Sequence, residues 1–291
     1  MMIVHGGPMK IPVYFARRFV AGESALEAIE AVKELNKDGI VATLDLLGEN
    51  VSSHQQADDV VEEYYDLFKK ITDSGVKSGV SLKLTQLGLD LDVTSCVERM
   101  RKILINARKH NLFVRIDMEG SFYTQTTVDV FIKLANEFEN VGLVLQAYLH
   151  RSMDDAKNMA QKKFSIRVCK GAYKESSSIA FQSMDDIRTQ YKNMVKILLE
   201  GGSKIGIATH DDELINWTKA YVVQNRIPSA QFEFQMLYGL RRKKALELAK
   251  EGFRVRSYVP YGTHWFPYFY RRLRERKENV FFVLKSLIAD K

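Results

Sequence analysis

The chain has 291 residues, 46% apolar and 27% charged, an ordinary balance for a globular protein and enough length to close a core without covalent staples. Two cysteines, Cys96 and Cys169, exclude a disulfide framework and fit a reducing cytoplasm, and no apolar run approaches the roughly 20 residues that span a bilayer. The net charge of +7 comes from cations spread along helices with acids interleaved, as in Arg241-Arg242-Lys243-Lys244, which argues against a nucleic-acid face and leaves weak attraction to an anionic membrane open.

Residues 1–15 read as an N-terminal extension without the apolar stretch of a signal peptide. Within it, His5-Gly6-Gly7-Pro8-Met9 has the look of a cloning scar and stands outside the fold. Residues 16–291 contain no Pro- or Ser-rich linker and read as a single domain. The stretch 23–37 comes first, with Leu26, Ile29, Val32 and Leu35 at helical spacing, and is expected as an extra helix ahead of the first strand. Eight short β-like runs then alternate with helical segments. Strand 39–47 precedes helix 55–74, 79–87 precedes 94–110, 113–119 precedes 126–139, and 141–149 precedes 153–163. The pattern continues with 164–173 before 185–200, 205–210 before 211–225, 230–237 before 241–251, and 253–261 before an extended C-terminal helix from Trp265. Gly75, Gly201-Gly202 and Gly252 stand where helices should stop, and Asp211 suits an N-cap. The tail 278–287 either continues the last helix or forms another. Such alternation predicts an α/β fold, a (βα)8 TIM-type barrel.

In such barrels the reactive groups collect at the C-terminal ends of the strands. Here those ends supply Asp45, Lys83, Asp117, Gln146, Arg167 with Lys170, His210, Gln235 and Tyr258, which points to an enzyme. Ser81, Lys83 and Thr85 alternate with leucines, so Lys83 should face inward, where a lysine binds an anion or forms a Schiff base. Asp117, one strand on, needs a cationic or hydrogen-bonding partner, and a Lys83–Asp117 salt bridge is the structural alternative. In Arg167-Val168-Cys169-Lys170-Gly171-Ala172-Tyr173, two cations flank small residues that let a planar or phosphate-bearing ligand approach the backbone. An exposed strand end explains that segment equally well. Tyr258 closes the last strand, and Arg271 and Arg272 follow with Glu275 one turn on, a run that by itself reads as solvated surface. The six histidines are scattered without paired-ligand spacing, so no metal is expected.

Taken together and in order, these segments resemble the proline dehydrogenase family in its short monofunctional bacterial form, over residues 16–291. The resemblance is carried by Leu46-Leu47-Gly48-Glu49, Ser81-Leu82-Lys83-Leu84, Ile116-Asp117-Met118-Glu119 and Leu145-Gln146-Ala147-Tyr148-Leu149. It continues through Lys170-Gly171-Ala172-Tyr173, Ala208-Thr209-His210-Asp211, Glu233-Phe234-Gln235-Met236-Leu237 and the segment 258–275. It implies FAD-dependent oxidation of L-proline to Δ1-pyrroline-5-carboxylate, with hydride passing to flavin N5 and electrons to a membrane quinone. Residue by residue, it implies catalytic roles for Asp117 and Arg167, and a substrate carboxylate held by Lys83, Arg271 and Arg272. Tyr173, Leu237 and Tyr258 would enclose the ring, with Glu49 as a gate pairing with Arg271. Met118, Gln146, Arg167, Lys170, Gly171, Ala172, Thr209, His210 and Glu275 would contact a non-covalent FAD. Cys169 departs from the aliphatic residue the family pattern leads one to expect. The chain starts close to the first matching helix, so a separate pyrroline-5-carboxylate dehydrogenase is expected to take the product. A cytoplasmic protein, peripheral at most at the inner face of the membrane, is implied, with no nucleic-acid partner.

Two other readings compete. A class I aldolase would use Lys83 or Lys170 as a Schiff-base lysine, but leaves the arginine pair without a task. A non-catalytic basic protein would bind nucleic acid or membrane through its cations, yet the charges favour strand ends over one contiguous face.

Overall fold

The structure, a computed structural model, describes residues 16–275 and the side chains of residues 16–270. The expected extension 1–15, the tail 278–287 and the side chains of Arg271, Arg272 and Glu275 lie outside the described residues. Eight parallel strands close into one barrel in sequence order. They are β1 (Val41–Leu46), β2 (Ser78–Leu82), β3 (Val114–Ile116), β4 (Val141–Gln146), β5 (Ile166–Cys169), β6 (Ile205–Ala208), β7 (Phe232–Leu237) and β8 (Val255–Tyr261). Parallel strands covered on both faces bury nearly every residue, and β4, Val141–Gln146, is buried throughout.

The helices are α1 (Ala25–Lys37), α2 (His54–Ser74), α3 (Val93–Lys109), α4 (Ser121–Ala135), α5 (Ser152–Gln161), α6 (Met184–Glu200), α7 (Asp212–Gln224), α8 (Arg242–Lys250) and α9 (Trp265–Glu275). Most lie within a few residues of the sequence expectation. The N-terminus of α4 moves forward five residues, to Ser121, because Glu175 from the loop after β5 accepts from the Ser121 N–H at 2.8 Å and from its hydroxyl at 2.7 Å. That cap comes from 54 residues away, and no local pattern announces it. The run 79–87 splits in two: β2 ends at Leu82, and Leu84–Leu87 form a 3-10 turn. Gly88, in the left-handed region at φ 81°, ends that turn.

The two terminal helices exchange the places a plain repeat would give them. Helix α1 is nucleated by a capping box between Ser24 and Glu27, and packs on β1 and β8. It therefore covers the seam where the barrel closes. Its buried face is Ala28, Ile29, Val32 and Leu35, while Leu26 is exposed. Leu26 and Leu35 are nine residues apart, close to two and a half turns, so they cannot share a face. Helix α9 instead packs over the C-terminal end of the barrel, its Trp265, Tyr268 and Phe269 meeting Leu47, Leu240 and Tyr258. The segment leading into α1 completes this cap: the Phe19 and Phe269 rings lie 6.1 Å apart, and Trp265 Nε1 donates to Glu23 at 3.2 Å. Gly239 meets the Arg18 carbonyl so closely that any Cβ there would overlap it.

Candidate active site

The C-terminal end of the barrel holds a buried, almost fully connected polar cluster. Asp45 at the end of β1 is wholly buried, and Lys83, just past β2, places Nζ 3.1 Å from its Oδ2 and 3.4 Å from its Oδ1. On β3's extension, Asp117 Oδ1 accepts from Arg167 Nη1 at 2.7 Å and from the Ser81 hydroxyl at 2.9 Å. Arg167, from β5, also donates Nε to Gln235 Oε1 on β7 at 2.6 Å. The Tyr258 hydroxyl, from β8, lies 2.6 Å from Asp45 Oδ2 and 2.8 Å from Asp117 Oδ2. The Arg167 guanidinium sits 5.3 Å from the centre of the Tyr258 ring. Alternation along the strands brings these side chains inward, and parallel register sets Leu237 beside Tyr258.

The Lys83–Asp117 salt bridge, which stands as the structural alternative in sequence, does not form. Lys83 bonds Asp45, and Asp117 takes Arg167. Burial disfavours the Lys83 charge, but Asp45, Asp117 and Glu49 outweigh it and raise the pKa well above the ordinary lysine value. A Schiff-base lysine must shed its charge to become a nucleophile, and the ion pair with Asp45 works against that at Lys83. Burial, joined by the charge of Asp117, raises the Asp45 carboxyl although Lys83 opposes it. Glu119, buried behind the cluster, is pushed up to about 7 by burial, against Thr85, which donates to it through both N–H and hydroxyl.

A second group of side chains lines β4 to β6. Gln146 Nε2 donates to the Glu119 carbonyl at 2.8 Å, and Met118 is buried beside this loop. Lys170 Nζ reaches Asp211 Oδ2 at 3.1 Å, and Arg188 Nε reaches the same oxygen at 3.0 Å. Burial alone would raise Asp211, but these two cations hold its pKa below the ordinary value. Gly171 has φ 125°, and a Cβ on it would run into the Tyr148 ring, so only glycine fits this turn. Ala172 beside it is exposed and Tyr173 is half-buried, close enough to Lys83 to act on its charge. His210 Nε2 accepts from the Leu237 N–H at 3.0 Å, and the Thr209 hydroxyl accepts from the Asp211 N–H at 3.1 Å.

The donor set thus has two halves. One is a tight ionic cluster that can fix a small charged molecule. The other is a group of Arg167, Lys170, Gln146, Thr209 and the small-residue Gly171–Ala172 turn, whose donors and cations suit a planar group rich in acceptors and carrying negative charge. Of the residues picked out from sequence, Lys83, Asp117, Arg167 and Tyr258 come together in the cluster, with Leu237 and Tyr173 at its edge. Glu49 is half-buried after β1, and its partner proposed from sequence, Arg271, lies outside the described side chains. Ser81, Asp211 and Glu119 join the site without a site role being expected of them from sequence, and Asp45 and Gln235 are marked there by strand-end position alone. Cys169 Sγ faces the Leu145 carbonyl at 3.7 Å on the neighbouring strand.

At the opposite, N-terminal end a cleft of about 570 Å³ is lined by Arg115, Glu233 and Arg256 among others. There Arg115 donates to the carbonyls of Leu143 and Ser165, and Arg256 pairs with Glu233 and donates to the Ala42 carbonyl. Those cations hold strands together, as the stability face of such barrels does.

A family model of proline dehydrogenase matches residues 28–285. Proline dehydrogenase 1 of Bacillus subtilis (strain 168) is 44% identical over 273 residues, covering 94% of this chain and 90% of that protein. Proline dehydrogenase of Deinococcus radiodurans is 38% identical over 282 residues, with the same coverage of each. A crystal structure of proline utilization A (PutA) from Bdellovibrio bacteriovorus inactivated by N-propargylglycine superimposes with a TM-score of 0.84 at 26% identity, covering 90% of this chain and 32% of that longer one. With the closed barrel and the strand-end cluster, these matches establish that the chain is an enzyme of the proline dehydrogenase family.

Proposed function

We propose that the chain oxidises L-proline to Δ1-pyrroline-5-carboxylate using a non-covalent FAD, and passes the electrons to a membrane quinone. The observation that carries this reading is the neighbouring arrangement of the Asp45–Lys83–Asp117–Arg167–Tyr258 cluster and the cationic group on β4 to β6. Lys83, with Arg271 and Arg272 from α9, holds the substrate carboxylate, while Tyr173, Leu237 and Tyr258 enclose the ring. Asp117 fixes Arg167, whose positive charge favours an electron-rich neighbour held by that group. Met118, Gln146, Lys170, Gly171, Ala172, Thr209, His210 and Glu275 hold the cofactor, and Glu49 gates the pocket through Arg271. The bound flavin would supply the acceptor for the hydride leaving the ring carbon next to nitrogen. Burial beneath Tyr258 and α9 keeps water from that carbon.

Among the described residues no helix is long and apolar enough to cross a membrane. In our reading the enzyme meets the quinone from the cytoplasm, peripheral at most at the inner face of the membrane. A separate pyrroline-5-carboxylate dehydrogenase then takes the product. The visible spectrum tests the central claim. The purified protein should be yellow, release its flavin in acid, and bleach when proline is added without oxygen. A colourless protein that neither binds FAD nor reduces an artificial acceptor with proline would sink it.

A further inference from the structure

Three oxygens stand in a row at the centre of the cluster: Asp45 Oδ2, the Tyr258 hydroxyl 2.6 Å from it, and Asp117 Oδ2 another 2.8 Å on. A phenol has one hydrogen, and an ionised carboxylate has none. Only one of the two short contacts can therefore be a hydrogen bond while both acids are charged. The row has room for one more proton, and taking it turns an unfavourable contact into a bond. Which acid receives it follows from the partners. Asp117 has the closer cationic partner, Arg167 at 2.7 Å, and also accepts from the Ser81 hydroxyl at 2.9 Å. Asp45 has the longer Lys83 contact, at 3.1 Å, and no exposure to water.

Lys83 Nζ and the Tyr258 hydroxyl bond the same oxygen of Asp45, so they are neighbours. A substrate carboxylate placed on Lys83 would set the amine on its adjacent carbon beside that hydroxyl. It would also compete with Asp45 for the lysine charge.

We propose that Asp45 is the terminal acceptor of the substrate's ammonium proton, reached through the Tyr258 hydroxyl, and that substrate carboxylate on Lys83 is what makes it accept. This deepens the proline-oxidation reading and rests on it. The proton leaves the secondary ammonium for the Tyr258 oxygen as the hydroxyl hydrogen passes to Asp45 Oδ2. The amine becomes neutral, its lone pair is freed to form the C=N bond of a protonated imine as hydride leaves the ring carbon for the cofactor, the imine keeping its one N–H, and the charge count around Asp45 and Lys83 is preserved. The upward shift of Asp45 by burial and by Asp117 runs in the required direction. The other charged or titratable groups that bear on Asp45 do not compete for the role. They are Lys83 after β2, Asp117 and Arg167 from β3 and β5, Tyr261 and Tyr258 from β8, and Tyr64 from α2. Lys83 already carries its proton, and burial pushes all three tyrosines up. Asp45 touches neither substrate nor cofactor, so it is a positioning residue that acts through Tyr258.

The test uses the FAD-loaded enzyme and tetrahydrofuran-2-carboxylate, the ring-oxygen analogue of proline, which has the carboxylate and no amine proton. Calorimetry in two buffers of different ionisation enthalpy should show the analogue, which is not oxidised, taking up about one proton on binding at neutral pH. In Asp45→Asn the uptake should vanish while Glu119, which also titrates near neutrality, remains in place. Analogue binding without proton uptake in the native enzyme, or equal uptake in Asp45→Asn, would overturn the proposal. If Asp45→Asn does not fold, Tyr258→Phe keeps the ring packing and removes the relay. Its flavin reduction by proline should then climb about tenfold per pH unit below the amine pKa, tracking the free amine, where the native rate levels off. Parallel profiles for the two would equally overturn it. Failure of native enzyme to reduce flavin with proline at any pH would instead count against the function itself.

Discussion

Arg167 shows how much one side chain can organise. Its Nε holds Gln235 at 2.6 Å and its Nη1 holds Asp117 at 2.7 Å, so one planar fork ties β3, β5 and β7 together under Tyr258. A lysine at this position offers one point charge and cannot span both acceptors. Arg167→Lys should therefore lose a charge-assisted bond of about 1.5–3 kcal/mol, roughly tenfold to a hundredfold in kcat/KM for proline. Stopped-flow reduction of the flavin checks it, and a loss under twofold would mean the fork is dispensable. Glu119 gives a different expectation, in stability. Its folded value of about 7 lies above the ordinary 4.5 because of burial, so the folded state binds the proton more tightly than the unfolded chain. The stabilisation is complete below the unfolded value and drains away as pH rises through the folded one. Native stability should fall more between roughly pH 6 and pH 8 than that of Glu119→Gln, by about 1 kcal/mol, seen as a steeper fall of the melting temperature. Parallel melting curves would remove Glu119 as the titrating group.

Helix α9 matters as an element because it caps the site and carries Arg271 and Arg272 in its sequence. Its hold on the barrel is aromatic: Phe269 is fully buried between Phe19 and Trp265, with ring centres 6.1 and 5.8 Å away. Phe269→Ala should remove about 3–5 kcal/mol of local packing. Because the strands do not depend on this cap, we expect the barrel to survive with KM for proline raised several-fold and flavin content near normal. Unchanged KM alongside a lowered melting temperature would place the substrate grip elsewhere. This element also marks where sequence stops being informative. The pattern of Trp265, Tyr268 and Phe269 announces an amphipathic helix, but periodicity says which face is buried and not what covers it. The strand ends were legible for the opposite reason: a period of two leaves an inward polar residue no alternative but the barrel interior, which is how Lys83 and Asp117 stand out, while Arg167 is marked only by its place at a strand end. Partner choice was not legible, since Lys83 taking Asp45 rather than Asp117 depends on the stagger between β1, β2 and β3. The cap on α4 from Glu175 was hidden for the same reason, a contact made in space between distant positions.

At the scale of the whole molecule, the question is what lets an eight-stranded barrel close when the helix after its last strand has gone to cover the mouth. Helix α1 answers it by lying across β8 and β1, so the seam is sealed by residues that precede the first strand. Its register with the sheet is set by Ala28, Ile29, Val32 and Leu35, and the N-terminal end is fixed by the Ser24–Glu27 capping box. Asp45 and Tyr258, the two residues of the proposed proton path, sit on the two strands that meet at this seam, so closure and chemistry are coupled. Val32 is fully buried there, and Val32→Asp would leave a carboxylate without a partner against apolar neighbours. The expected loss is about 4 kcal/mol or more, a large part of the stability of an ordinary domain. Chemical denaturation followed by far-UV circular dichroism and by flavin absorbance should show both signals moving together to much lower denaturant. The site cannot keep its geometry once β1 and β8 part. The surface change Leu26→Asp on the same helix serves as the control, since Leu26 is exposed and its replacement should leave both transitions near the native midpoint. If Val32→Asp matched that control, α1 would be an appendage, and the seam would have to be held by the strands alone.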